Sequence, residues 1–247
     1  KYPNIHVSCL LTPKSCAYHS PADYDDPHDD IAGFIKSTYA MMDSAVTTVD
    51  CMGLMDQHAG EYMFYRTDHH WTSLGAYYGA NALLSAMDLA PLDLGDYAKT
   101  TVSDSFYGTT FSTSGVRWVR PDQIDTYVPE DGVTVTSYPD GTPPPGSLYV
   151  PSHLEEKDKY SFFLGGNQPL CVIENPNGTK GKLLVIRDSY SLAPFLTERF
   201  SEIHLFDLRY NLTSVKSYVE EHDIDAVVVL YSFSNFVTGT NLFALGR

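Results

Sequence analysis

Three runs in the C-terminal third, KLLVIRDSY, EIHLFDLRYN and DAVVVLYSF, are almost continuously apolar and rich in branched residues. Between them, SLAPFLTERF and LTSVKSYVEEHD carry apolar residues at helical spacing. Strands that lack polar alternation are buried on both faces, so this succession predicts a parallel sheet flanked by helices. Toward the N-terminus the pattern predicts a strand over Ile5 to Leu11. An acidic stretch, PADYDDPHDD, then precedes a helix from Ile31 to Ala45, capped by Asp29 or Asp30. A short apolar strand is expected at Thr48 to Met52. SLGAYYGANALLSAM reads as a helix with Leu74, Tyr77, Tyr78 and Leu84 at helical spacing and Thr72 or Ser73 as its cap. The segment 97–168 differs in kind: it is rich in Thr, Ser, Tyr, Gly and Pro, alternates in GVTVTSY, and turns at PDG and PPPG. The expectation is one α/β domain over 1–247, with 97–168 as an irregular β-rich insertion, since 247 residues are within reach of a single core.

Charge narrows the partners. Against 31 Asp and Glu stand 16 Lys and Arg, a net charge of −15. Such a field repels phosphate backbones and anionic lipid, so nucleic acid is not an expected partner. No run approaches the ~20 apolar residues of a membrane span. The chain starts at Lys1 without Met and enters a strand almost at once, which points to a signal or membrane tether upstream of this sequence. Cys9, Cys16, Cys51 and Cys171 form no C-x-x-C, so neither structural zinc nor a disulfide framework is expected. Cys9 and Cys16 would pair only if the loop between them folded back. No cofactor is expected.

In open parallel sheets the functional crevice lies beyond the carboxyl ends of the strands. That rule selects the residues immediately after LLVI: Arg187, Asp188, Ser189 and Tyr190. A serine at a strand-to-helix turn can project Oγ into the crevice, with the backbone N–H groups beneath it facing a developing oxyanion. The plain alternative is that Ser189 or Ser191 caps the helix. A nucleophilic serine needs a base, and the base needs an orienting group. YRTDHHWTSLGAYYG supplies both: Asp68 can reach Nδ1–H of His70 while Nε2 faces outward, with Trp71 buried as the anchor of the turn. Two other readings compete. A metal could sit on His69 and His70 with help from Asp56 and His58, although adjacent histidines in extended chain point to opposite faces. Alternatively, His70 is a core residue at a helix cap.

These motifs, taken in order with FYGTTFSTSG and FLGGNQPL, resemble the DHHW family of bacterial extracytoplasmic proteins. That family is similar to the SGNH-hydrolase-like proteins of alginate O-acetylation, in which D-x-H precedes the serine, a circular permutation of the usual SGNH order. The resemblance implies an SGNH-like α/β fold and a catalytic triad of Ser189, His70 and Asp68, with no metal. It also implies hydrolysis or O-acetyl transfer at an ester of a cell-surface or secreted polysaccharide. Asn235 in LYSFSNF matches the asparagine of the oxyanion hole, and Asn167 beside Gly165 and Gly166 is its rival. Arg187, standing where glycine is usual, and Tyr190 complete the candidate oxyanion or substrate contacts. The segment from Phe106 to Gln168 carries Phe106, Tyr107, Trp118, Tyr127, Tyr138 and Tyr149, and part of it is expected to border the Ser189 crevice. The competing function is a non-catalytic carbohydrate-binding or scaffold protein on the same fold, its tyrosines stacking on sugars.

Overall fold

In a computed structural model, which describes residues 5–20, 30–142 and 144–246, the apolar runs of the C-terminal third form central strands of one sheet. The N-terminal part comprises β1 (His6–Thr12), α1 (Cys16–His19), α2 (Ile31–Ala40), β2 (Val46–Thr48), α3 (Cys51–Asp56) and α4 (Ser73–Ala86). The middle contributes β3 (Thr100–Phe106), α5 (Thr109–Ser114), β4 (Asp122–Thr126), β5 (Thr134–Ser137) and β6 (Pro145–Gly146). The last part runs β7 (Leu170–Glu174), β8 (Lys180–Arg187), α6 (Ala193–Leu196), β9 (Phe200–Phe206), α7 (Val215–Glu221), β10 (Ala226–Ser232) and α8 (Phe233–Thr238).

The sheet order is β2-β1-β10-β8-β9-β7-β5-β6. The first five strands are mutually parallel, as the unbroken apolar runs predict. The remaining three join antiparallel, so the sheet is mixed. Part of the segment 97–168 therefore extends the main sheet through β5 and β6, while β3 and β4 pair separately as an antiparallel ribbon.

Alternation along the central strands divides the core. Leu183 and Val185 of β8 pack with Leu10, Val228 and Leu230 against α4 and α6. Leu184 and Ile186 face the other way, with Val227 and Tyr231, against α2, α7 and α8. Helix α4 is buried along every residue from Gly75 to Leu84, which explains why its pattern is apolar nearly all round. Gly75 lets it approach: a Cβ there would meet the Met63 carbonyl at 2.3 Å and Trp71 Cβ at 2.7 Å.

Two local expectations are corrected. The helix expected to reach Ala45 stops at Ala40, with Asp30 as its cap accepting Gly33 N–H at 2.8 Å; Asp29 lies outside the described residues. The strand expected over Thr48 to Met52 occupies Val46–Thr48 instead. Asp50 accepts Gly53 N–H at 2.8 Å and starts α3, whose Cys51 and Met55 share a buried face four residues apart. The four cysteines are free, and no described helix is long and apolar enough to cross a membrane.

Candidate active site

From β8 the chain passes to β9 on one side, whereas β10 lies on the other, so a crevice opens at the carboxyl end of β8. Ser189 stands two residues past that end. Helix α6 begins only at Ala193, so Ser189 lies on the turn between strand and helix, four residues before the helix starts. The Asp188 carboxylate shapes this turn. It accepts the N–H of Tyr190 at 2.9 Å, the N–H and hydroxyl of Ser232 at 2.9 and 2.7 Å, and Asn235 Nδ2 at 2.8 Å.

The DHHW stretch comes from the opposite direction. Phe64 and Trp71 bridge as an antiparallel pair, and Thr72 N–H donates to the Met63 carbonyl at 2.8 Å, which closes residues 64–71 into a tight loop before α4. Buried Asp122 of β4 holds the loop: it accepts Thr67 N–H at 2.7 Å, the Thr67 hydroxyl at 2.5 Å and Arg66 N–H at 3.1 Å, and it also accepts the Tyr62 hydroxyl.

The two turns meet. His70 Nδ1 donates to Asp68 Oδ1 at 2.6 Å, and Ser189 Oγ lies 2.7 Å from His70 Nε2. With the carboxylate fixing a proton on Nδ1, Nε2 is left to accept the serine O–H. Asp68 Oδ2 accepts the N–H and hydroxyl of Thr109 at 2.8 and 3.0 Å. Burial by itself would raise the Asp68 pKa. The hydrogen bond and charge of His70, helped by Thr109 N–H, outweigh burial and hold the carboxyl well below the usual range. The His70 ring is stacked on Tyr160, centroids 3.8 Å apart and 10° from parallel, with His69 at 3.8 Å as well.

The other expected contacts divide. Arg187 and Asn167 line the crevice, a space of ≈ 550 Å³ that also contains Ser189 and His70. Asn235 lines it too, at the first turn of α8, but its amide is engaged by Asp188. Tyr190 is corrected: its ring is buried behind His70 and Trp71, and its hydroxyl donates to the His69 carbonyl, so it walls the base instead of facing the crevice. Phe106 and Tyr107 line the crevice, while Tyr127 and Tyr149 line an adjoining hollow. Trp118 is 87% exposed, and neither it nor Tyr138 borders the crevice. Tyr160 and Asp122 were not foreseen, because nothing in their local sequence marks a partner so far along the chain.

A turn intervenes at the adjacent histidines, so their rings lie together and not on the opposite faces of an extended chain. Asp68, His69 and His70 offer ligand atoms within 4.8 Å of one another. Both ring nitrogens of His70 are engaged as described, and His69 Nδ1 lies 2.7 Å from Thr109 Oγ1. Asp56 and His58 are not part of the group; His58 pairs with Glu61 at 2.8 Å. What the arrangement can do chemically is withdraw a proton from Ser189.

A family model described as DHHW protein matches residues 31–206. No curated protein matches the chain. Among solved structures, a DHHW family protein from Eubacterium siraeum is similar at 26% identity and TM-score 0.86, covering 99% of this chain and 83% of the other. The structure of Bacillus cereus PatB1 with a sulfonyl adduct is similar at 21% identity and TM-score 0.76, covering 94% and 82%. The O-acetyltransferase domain of Pseudomonas putida AlgJ is similar at 16% identity and TM-score 0.52, covering 98% and 80%.

Proposed function

The chain belongs to the DHHW family, and from that premise we propose that it is a serine-dependent acyltransfer enzyme acting on acetyl esters of a cell-surface or secreted polysaccharide. The observation that carries this reading is the unbroken chain Asp68–His70–Ser189, at 2.6 and 2.7 Å, opening into a crevice. Ser189 Oγ attacks the acyl carbon and its proton passes to His70 Nε2. The resulting imidazolium is held by the Asp68 carboxylate, and His70 then returns the proton to the departing alkoxide. A sugar hydroxyl or a water, deprotonated by His70, takes the acyl group from Ser189.

Two features support acetyl transfer in particular. An apolar hollow of ≈ 30 Å³ shares Tyr160, Leu164 and Ser191 with the crevice, a recess beside the site in which a small acyl group can be seated. The AlgJ structure is that of an O-acetyltransferase domain. The segment 97–168 supplies one wall of the crevice through Phe106, Tyr107 and Phe163, the kind of aromatic surface on which a sugar acceptor can be held while water is excluded. A polysaccharide substrate carries with it an extracytoplasmic location.

The test is covalent. A sulfonyl fluoride should leave one adduct, on Ser189 by mass spectrometry, and abolish turnover of phenyl acetate. Adding a soluble oligosaccharide should accelerate turnover and yield an acetylated sugar. An oligosaccharide that only competes would reduce the proposal to an esterase. Absence of both adduct and turnover would instead support a carbohydrate-binding protein.

A further inference from the structure

Arg187 lines the crevice while being only 3% exposed. A guanidinium at that depth is ordinarily matched by a carboxylate, because a buried charge without a partner is costly. Arg187 has no ion pair among the described residues. Its hydrogen bonds come from Nη1 alone and go to the backbone carbonyls of Asp188 at 3.1 Å and Tyr190 at 3.4 Å. Its buried Nε has no partner. Arg209, in the same wall, shows the contrast: it is forked onto Asp207 through Nε at 2.9 Å and Nη2 at 2.6 Å. The neighbouring Asp188 gives its carboxylate to Tyr190, Ser232 and Asn235 and none of it to Arg187.

Position completes the argument. The two carbonyls that hold Nη1 belong to the residues on either side of Ser189, so the guanidinium is fastened to the turn that carries the nucleophile. Its Nε–Nη2 edge, the fork that elsewhere receives oxyanions in two parallel hydrogen bonds, is unspent. Of the other donors, the Asn235 amide spends one N–H on Asp188 and α6 starts beyond Leu192, whereas the Arg187 fork is free and fastened to the serine turn itself.

We propose that Arg187 is a catalytic residue whose Nε–Nη2 edge receives the oxyanion formed at the Ser189 acyl centre. The proposal rests on the acyl-transfer reading of the site. As the Oγ–C bond forms, the carbonyl π pair moves onto oxygen beside the guanidinium, while the serine proton moves to His70. Collapse restores the carbonyl, breaks the bond to the leaving alkoxide and sends it the proton from His70. The positive charge that is uncompensated in the resting site is thereby matched in the transition state, where it lowers the barrier.

The experiment compares wild type, Arg187→Gln, Arg187→Lys and Ser189→Ala on phenyl acetate, an uncharged ester, with near-UV circular dichroism as the check on folding. Arg187→Gln should lower kcat ~10²–10³-fold, with KM changed less than about threefold. Arg187→Lys, which keeps the charge and loses the fork, should fall between, at least ~10-fold down. A folded Arg187→Gln enzyme with wild-type kcat overturns the proposal. So does a defect confined to KM on phenyl acetate, which would make Arg187 a contact to the bound ester in the ground state. If the glutamine variant does not fold, wild-type kcat in Arg187→Lys overturns it equally. Wild-type turnover in Ser189→Ala would sink the acyl-transfer reading itself, and so is distinguishable from failure at Arg187 alone.

Discussion

Gly108 touches no substrate in this reading, yet substituting it should disable the site. Its backbone, φ −89° and ψ −160°, is open to any residue, so glycine is needed there for space alone. A Cβ at this position would fall 2.2 Å from Asp68 Oδ2 and 2.3 Å from Asp68 Cβ. Relieving that contact requires a displacement of about 1 Å, and misplacements of that size cost on the order of 10²-fold in rate. Asp68 has little slack to absorb it, with Oδ1 on His70 at 2.6 Å and Oδ2 on Thr109 N–H at 2.8 Å. Gly108→Ala should therefore lower kcat on phenyl acetate ~10²-fold, and overpacking should cost ~1–3 kcal/mol of stability. For a chain of this size that is a fall in Tm of ~2–12 °C by calorimetry. Because the effect passes through Asp68, adding Gly108→Ala to Asp68→Asn should change kcat little further. Gly60→Ala is the control, since nothing lies within 4 Å of a Cβ there. Wild-type kcat in Gly108→Ala, or additive losses with Asp68→Asn, would refute the argument.

Ser189→Ala and His70→Ala should each remove most of the esterase rate, with the double variant little worse; multiplying losses would argue against a unit. The depressed Asp68 pKa contributes stability that is fully present above the unfolded value of ~3.9 and is lost as pH falls through the lower folded value. Urea titrations stepped from pH 5 downward should accordingly show a steeper loss in wild type than in Asp68→Asn, by up to ~1.4 kcal/mol per pH unit, and parallel slopes would contradict this. Burial pushes the Cys9 and Cys51 thiols up to about 12. Their thiolate fraction at pH 8 is then ~10⁻⁴, and iodoacetamide should label half-buried Cys16 first; early label on Cys9 or Cys51 in peptide maps would count against their burial. Exhaustive chelation should leave activity unchanged, because His70 spends both ring nitrogens on Asp68 and Ser189. A stoichiometric divalent ion whose removal abolishes turnover would favour the metal reading.

The parallel half of the sheet was legible because LLVI and VVVL are buried on both faces, which leaves a mark in composition alone. Asp68 and His70 were legible because their pairing is local, two residues apart in a capped loop. Ser189 was legible from the rule that strand ends carry the crevice. What stayed hidden is long-range. Tyr160 reaches the His70 ring from a 3₁₀ turn at Lys159–Phe162, and Asp122 reaches the Thr67 turn from β4, neither at a spacing that encodes the contact. The α3 start was missed because Val49, Cys51 and Met52 suit a short strand or a helix equally, and Asp50 decides it as the cap. Asn235 was placed correctly after its strand, but its amide partner, Asp188, is buried 47 residues away.

The distance between His70 and Ser189 joins loops that are 119 residues apart, and two reciprocal hydrogen bonds set it. Trp71, beside His70, donates from Nε1 to the Ser191 carbonyl at 3.1 Å, while the Tyr190 hydroxyl, from the serine turn, donates to the His69 carbonyl. Each turn thus hands a donor to the other's backbone, on either side of the His70–Ser189 contact, and the two donor rings pack together with centroids 5.3 Å apart. A side chain that only filled space could hold the loops near each other, but it could not fix their register to the few tenths of an ångström that a 2.7 Å hydrogen bond demands. This gives the tryptophan of the DHHW stretch a physical task apart from burial. It also explains why Tyr190, the residue after the serine, faces inward: its hydroxyl aligns the base, and the crevice side is left to Arg187, Asn167 and the aromatic wall from 97–168.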